Sequence, residues 1–351
     1  MPLRMIQVGL GKWGRNWYQH VLHQNPEVEI VAHVDIVESS RETALKTLDL
    51  PEQRVFASLE EALTRVPCDA VLITASLAGH TPLALTALQA GKHVLLEKPF
   101  TSTLDEARRI IKAAEQTGQD HPILMISQNY RYYPAVQAVR EIIRKRELGQ
   151  VGNVYIDFRR SDFRNRADDD PGAILHRRLW QPLLVDMSIH HFDLIRAVLG
   201  QEATTISCHT WNPSWSRYVD PPTGDATVLL EDGAVVSYRG SWVSTGPQTN
   251  WSGEWRIECA QGEITWSARG TLPEYVTIRP LGQEQAESIA LPEVPFVDRK
   301  GSLHAFVEAV HAGRQPECNG PDNFNTLALT LASVASSQQG GALIKPERYI
   351  S

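Results

Sequence analysis

Three groups of residues in this sequence have the types and spacing that chemistry requires. The first is Gly9-Leu10-Gly11-Lys12-Trp13-Gly14, a G-x-G-x-x-G stretch. Such glycines allow a tight turn, a close approach of backbone to a pyrophosphate, and tight packing of a helix on a strand. The helix start that follows would offer free N–H groups and a positive dipole end to phosphate. Context supports the match, because it directly follows the strand-like run MIQVGL and opens a helical pattern. Gly9, Gly11, Lys12, Trp13 and Gly14 are therefore expected to touch a dinucleotide. Asp35 stands 21 residues past Gly14, at the end of the second strand-like run. There a carboxylate accepts hydrogen bonds from adenosine ribose hydroxyls. The same charge repels a 2′-phosphate, so NAD is expected over NADP; Arg41, the nearest cation, falls within the next helix.

The second group follows later apolar runs. In an open α/β sheet, ligands bind outside the carboxyl ends of the strands. Ser76 to His80 come after the fourth run, which makes Ser76 and His80 cofactor candidates, although His80 could equally hold a helix start. The fifth run ends in Glu97-Lys98-Pro99. Glu97 and Lys98 would face the nicotinamide, and the Lys98–Pro99 bond is a candidate cis peptide.

The third group is Asp186-Met187-Ser188-Ile189-His190-His191-Phe192-Asp193. In an α-helix, Asp186, His190 and Asp193 share one face, while His191 points about 100° away from His190. Three readings compete for that face. It is a metal site, a buried hydrogen-bonded network, or an acid/base pair above a substrate hydroxyl with Asp186 orienting the group. No further Cys or His cluster has ligand spacing, so no metal is expected. Oxidising an alcohol requires its hydroxyl proton to leave, which a histidine accepts near neutral pH. A nearby lysine would stabilise the developing alkoxide.

The elements that must position these groups can be read from periodicity. Strand runs 5–10, 29–36, 54–58, 70–75, 93–100 and 123–130 alternate with helix patterns near 13–25, 38–48, 59–66, 80–91 and 103–117. Ser58 with Glu61 and Thr103 with Glu106 form capping boxes, and Gly91 and Gly118 fall where helix C-caps belong. This alternation predicts a doubly wound parallel sheet over residues 1–126, a Rossmann-type α/β domain. Residues 127–351 read as an α+β domain with a large, mainly antiparallel open sheet. A helix near 134–147, a strand at 154–160 and a polar loop near 161–180 precede the Asp186 helix, which Gly200 closes. Six strand runs lie between 203 and 292, with turns at Glu231-Asp232-Gly233 and Ala260-Gln261-Gly262. Helices near 302–312 and 323–338 end the chain.

Composition limits the partners. The 351 residues suit two domains, and the formal charge of −7 argues against a nucleic-acid footprint. No apolar run reaches the roughly 20 residues that span a bilayer. The N-terminus enters a strand directly, with no secretory signal. Cys68, Cys208, Cys259 and Cys318 are widely spaced and form no disulfide framework, which fits the cytoplasm.

GLGKWG, GHTPLALTALQAGKHVLLEKP and DMSIHHFD, with the Trp-rich strands after them, resemble the glucose–fructose oxidoreductase, inositol dehydrogenase and MocA (Gfo/Idh/MocA) family over nearly the whole length. The resemblance implies that Lys98 is the catalytic lysine, Asp186 the substrate-orienting carboxylate and His190 the general acid/base. It implies a sugar, inositol or related polyol as substrate, and a homodimer or homotetramer built through the C-terminal sheet. Two stretches depart from the family pattern. Leu179 to Val185 replaces a Gly-rich stretch, and Ser76-Leu77 replaces a Pro-Asn-like pair. Asn129, Tyr130, Arg131, His176 and Trp180 are candidate substrate residues. The loop arginines, Arg159, Arg160, Arg164, Arg166, Arg177 and Arg178, could bind substrate or be balanced by Asp168, Asp169 and Asp170. Trp211, Trp215, Trp242 and Trp251 could stack on a sugar or fill the sheet core. Two rival functions remain open at this stage: a lyase or glycosidase that retains its NAD, and a sensor of sugar or dinucleotide without chemistry.

Overall fold

The computed structural model describes residues 1–116, 121–162, 166–167 and 169–349, so Gly118, Arg164 and Asp168 lie outside the described residues. The chain forms two compact units, Met1–Asn129 with Asp298–Phe324 and Tyr130–Val297 with Asn325–Ser351. The first unit thus takes in a late segment that the expectation of 1–126 does not contain.

In the first unit, short buried runs become strands and amphipathic runs become helices. They follow in the order β1 (Leu3–Val8), α1 (Lys12–Trp17), β2 (Val28–Val34), α2 (Glu38–Leu48), β3 (Val55–Phe56) and α3 (Leu59–Arg65). Then come β4 (Ala70–Ile73), α4 (Leu77–Gln89), β5 (His93–Glu97), α5 (Leu104–Gln116) and β6 (Leu124–Ser127). The sheet order is β3-β2-β1-β4-β5-β6, with every pair parallel. The order reverses between β1 and β4, where such sheets open a crevice at their carboxyl ends. β4 is buried on both faces, as a central parallel strand requires. The expected caps form: Glu61 N–H donates to Ser58 Oγ at 3.2 Å, and Thr103 N–H donates to Glu106 at 3.2 Å. Gly91 takes the left-handed conformation, φ 70°, that ends α4.

In the second unit, the elements are α6 (Pro134–Lys145), β7 (Val151–Arg159), α7 (Pro171–Arg177), α8 (Ile189–Leu199), β8 (Ala203–Trp211), β9 (Thr223–Leu230) and β10 (Val235–Ser241). β11 (Glu254–Cys259), β12 (Gly262–Ser267), β13 (Tyr275–Pro280) and β14 (Glu287–Ser288) follow. The chain then runs through α9 (Asp298–Ala312), which belongs to the first unit, and α10 (Gly320–Gln338). The sheet order is β14-β13-β12-β11-β7-β10-β9-β8. Every pair is antiparallel except β7 with β10. Gly233, φ 88°, and Gly262, φ 153°, turn the two hairpins expected at those positions. One face of the sheet is buried and the other exposed, shown by the alternating burial along β9 and β10. Trp242, Trp255 and Trp266 lie in the buried core, the last two stacked at 4.7 Å. No helix among the described residues is long and apolar enough to cross a membrane.

Two buried histidines make stability depend on pH. Burial pushes His33 on β2 down to about 4, and burial likewise pushes His191 on α8 down to about 4. Between pH 6.5 and about 4 the unfolded chain therefore binds more protons than the native one, so stability falls as pH is lowered through that window. Each histidine contributes on the order of 3 kcal/mol across the window. Denaturant melts from pH 7 to pH 4.5 should show this decline, and His33→Gln should flatten it.

Candidate functional site

The glycine stretch is held by polar side chains placed inside apolar strands. Gln7 of β1 donates Nε2–H to Gly14 O at 2.7 Å, and His33 Nδ1 lies 3.1 Å from Gln7 Oε1. Thr74, just past β4, donates its hydroxyl to Gly9 O at 2.9 Å. Gly14 has no room for a side chain, because a Cβ there would meet Gly9 O at 1.8 Å. Gly9 has φ 99°, and a Cβ on it would lie 2.5 Å from Ala75 N. Gly11 is different, since a Cβ there would meet nothing within 4 Å. This open position, exposed with Lys12 and Trp13 beside it, fits a cradle for pyrophosphate.

Asp35 follows β2. Its Oδ2 accepts from Leu10 N–H at 2.6 Å, and its Oδ1 accepts from Val37 N–H at 2.8 Å. Each carboxylate oxygen keeps further lone-pair capacity, which suits ribose hydroxyls as donors. Arg41 is turned away from the carboxylate, donating to the Asp35 backbone carbonyl at 2.8 Å.

Ser76 is an exposed N-cap of α4 with no side-chain cap bond. His80 is buried, with Nδ1 2.8 Å from Pro99 O and Nε2 3.2 Å from Ala75 O. It ties α4 to the turn after Lys98, and burial lowers its pKa, so it stays neutral. The Lys98–Pro99 bond is cis. Lys98 itself is half-buried, whereas Glu97 is enclosed. The Glu97 carboxylate accepts from Trp17 Nε1–H at 2.7 Å and from Lys98 N–H at 3.1 Å. Burial raises its pKa, opposed by Lys98, the Trp17 and Trp13 indoles and Arg299. Arg299 of α9 lies 4.4 Å from the Trp13 ring centroid and donates to Asn16 Oδ1 at 2.7 Å. Asn129 is buried and donates to the Asp298 carboxylate at the start of α9.

In the second unit, Pro182–Ser188 forms a π-helical run that passes into α8. The 100° spacing that aligned Asp186 with His190 therefore does not apply across it. Every residue from Pro182 to Leu199 is buried except Asp186, whose side chain is 36% exposed. His190 is buried and stacks on Tyr130, ring centroids 4.1 Å apart at 5°. The Tyr130 hydroxyl accepts from Arg269 at 2.8 Å. Arg131 makes a two-pronged ion pair with Asp193 at 2.6 and 2.7 Å, both side chains buried. Thr326 also donates to Asp193, at 3.0 Å. His191 turns to Tyr238 and to Trp251 O. His176 Nε2 lies 3.6 Å from Asp186 Oδ2. Trp180 is exposed.

The loop arginines divide. Arg159 pairs with Glu254 at 2.7 Å and Arg160 with Asp162 at 2.7 Å, while Arg166 pairs with Asp170 at 3.2 Å. Arg177 is buried, and Arg178 is exposed. Sequence reading missed Gln7, His33, Thr74, Trp17, Tyr218 and Arg299. The signal for the first three was a polar residue inside or just past an apolar strand. The others carry no local signal, because their partners are distant in sequence.

Comparison with known proteins shows the family and the fold. Residues 3–121 match the family model described as the oxidoreductase family, NAD-binding Rossmann fold, and residues 136–265 match the GFO/IDH/MocA C-terminal domain. The chain is 26% identical over 357 residues to D-apiose dehydrogenase of Paraburkholderia graminis, covering 95% of this chain and 87% of that one. It is 24% identical over 353 residues to inositol 2-dehydrogenase of Rhizobium meliloti, covering 96% and 97%. A solved oxidoreductase from Agrobacterium radiobacter, in complex with NAD+, L-tartaric acid and magnesium, shares the fold with TM-score 0.83. The identity there is 17%, over 98% of both chains.

The two glycines should separate folding from cofactor binding. Gly14→Ala forces backbone apart and should lower the melting midpoint sharply. Gly11→Ala should leave the midpoint unchanged yet weaken NAD binding at least tenfold in calorimetry, because the added methyl occupies the open cradle.

Proposed function

The chain belongs to the Gfo/Idh/MocA oxidoreductase family, and from that premise we propose that it transfers a hydride between NAD and an alcohol carbon of a sugar, inositol or related polyol. The observation that carries this reading is the presence in one chain of a dinucleotide cradle and a set of proton-handling groups. Gly9, Gly11 and Gly14 would hold the pyrophosphate, and Asp35 the adenosine ribose, favouring NAD over NADP. Lys12, Trp13 and Ser76 border that cradle, while His80 and Glu97 fix its walls. NAD, when bound, supplies the hydride acceptor.

The residues of the chain supply proton control and orientation. Lys98 carries a positive charge that lowers the cost of an alkoxide on the reacting hydroxyl. His190, held flat against Tyr130, receives the hydroxyl proton as general base. Asp186, the side chain of its helical run that reaches solvent, accepts a hydrogen bond from a substrate hydroxyl and fixes the substrate's orientation. Asn129, Tyr130 and Arg131 are buried and engaged with Asp298, His190 and Asp193, and Trp180 offers an exposed indole face to a sugar. In this reading residues 1–126 hold the cofactor, and residues 127–351 hold substrate and subunit partners. The exposed face of the eight-stranded sheet, with Tyr155, Leu229 and Tyr275, supports a homodimer or homotetramer. Four free cysteines support a reducing, cytoplasmic setting.

Absorbance of reduced nicotinamide, followed with NAD and a panel of sugars, inositols and sugar acids, tests the reading. Growth of NADH with one class supports it. A bound, non-releasing NAD cycle would give product without net NADH, and silence with intact NAD binding would point to a sensor. Lys98→Ala should lower kcat by on the order of 100-fold or more while NAD affinity stays within about threefold. An equal loss of NAD affinity would overturn the role given to Lys98.

A further inference from the structure

The π-helical run turns Asp186 toward a histidine that lies outside the D-x-x-x-H stretch. His176 sits in the last turn of α7, a helix capped by Asp170, which accepts from Gly172 N–H at 2.8 Å and Ala173 N–H at 3.0 Å. Its ring is fixed on three sides. Nε2 is 3.6 Å from Asp186 Oδ2, and Nδ1 is 2.9 Å from the Tyr218 hydroxyl. The Trp242 ring meets it edge-on at 4.7 Å. Trp242 in turn donates Nε1–H to Pro182 O at 3.1 Å, which anchors the start of the run that carries Asp186. The segment holding Tyr218 is tied to α7 as well, since Val219 N–H donates to Arg177 O at 2.9 Å.

The chemistry of the pair sets the tautomer. Burial pushes the Tyr218 phenol well up, so it keeps a proton that it can donate to Nδ1, 2.9 Å away. A neutral imidazole that accepts at Nδ1 carries its proton on Nε2. That N–H then faces the carboxylate. The charged groups around the cluster are Asp186 itself, with Arg177 and Asp162 beside Tyr218.

We infer that His176 is a positioning residue of the reaction: Tyr218 fixes its tautomer, and its Nε2–H, 3.6 Å from Asp186 Oδ2 and so beyond hydrogen-bond length, biases the carboxylate electrostatically toward the orientation that receives substrate. The inference rests on the proposed role of Asp186. It differs from the family-level assignment, in which Asp186 and His190 act within one motif, by adding a partner from α7 and a phenol from the segment before β9. A carboxylate biased by a fixed donor keeps its angle toward a substrate hydroxyl. The same carboxylate without that donor rotates, and misplacement of this kind costs on the order of 10- to 100-fold in rate.

The test uses the full-length protein with NAD and myo-inositol, D-glucose and D-xylose as probes, keeping the one that yields NADH fastest. His176→Ala is expected to lower kcat about 10- to 100-fold with NAD affinity unchanged. His176→Gln, which keeps an N–H donor near the Nε2 position, should recover most of that loss, and His176→Leu, of similar bulk, should not. Tyr218→Phe should fall between wild type and His176→Ala. In an Asp186→Asn background, His176→Ala should add little further loss, since both changes remove one unit. Nitrogen-15 NMR of the histidines gives a readout independent of turnover: the His176 signal should report the Nε2–H tautomer in wild type and lose that preference in Tyr218→Phe. Equal activity of the Gln and Leu variants, or full additivity with Asp186→Asn, would overturn the inference while leaving Asp186 in its role. Unchanged turnover in Asp186→Asn, or silence across the full panel of sugars, inositols and sugar acids, would overturn the underlying reading instead.

Discussion

A carboxylate cut off from water is stable only where donors surround it. Glu97 imposes that condition at the end of β5. The Trp17 indole and the Lys98 amide meet it, and the Trp13 indole adds a further side-chain hydrogen bond. Much of the first unit follows from this demand. Residues 13 and 17 are four apart, so α1 must turn one face toward β5 to deliver both indoles. Arg299 then lies over both rings, 4.4 and 5.3 Å from their centroids, which brings α9 against α1. The residue after Glu97 is Lys98, and its amide N–H donates to the Glu97 carboxylate, so the enclosure of Glu97 also fixes the backbone from which the lysine extends. Removing one donor would leave a buried carboxyl group short of a partner, at about 1–3 kcal/mol.

The second unit solves a different problem. A helix buried on nearly all sides offers a solute little side-chain surface. The run Pro182–Leu199 is buried throughout except at Asp186, and the departure from α-helical winding occurs in the segment that carries it. Gln181, left-handed at φ 47°, starts this segment, and Ser188 closes it by donating to Leu183 O at 2.9 Å. Wide turns of this kind occur often at functional sites because they re-aim a side chain without breaking the helix. His190 lies flat on Tyr130, and Asp193 is locked to Arg131. The motif that reads as one continuous face in sequence is in fact three residues with three separate partners.

The sequence carried the local part of this architecture well. Glycine spacing, strand and helix periodicity, capping boxes and turn residues depend on neighbours within a few positions, so the parallel order and the hairpins could be anticipated. The placement of Lys98 and Asp35 just past strand ends, and that of the glycine loop, belong to that class. The remainder depends on contacts that residue spacing does not encode. The 100° rule presumed an α-helix at Asp186, and the π-helical run broke it. Tyr218 reaches His176 across 42 residues, and Asn129 meets Asp298 across 169. The parallel pairing of β7 with β10 was equally hidden, because turn residues reveal only the strands they join. His80 was undecided in sequence for a related reason: its partners are backbone carbonyls, which have no letter of their own.

The return of the chain to its first unit has a consequence for biosynthesis. β6 pairs with β5 on one side, and its other side is met by Cys318 and Asn319, through Ile126 N–H to Cys318 O at 3.0 Å and a bridge at Met125. Those residues emerge from the ribosome just over 190 positions later. At roughly 5–20 residues per second, the nascent first unit waits on the order of 10–40 s with that strand edge uncovered. An uncovered edge is a template for pairing with another chain. That interval, while the chain is still tethered, is therefore one in which pairing with another chain competes with completion of the first unit.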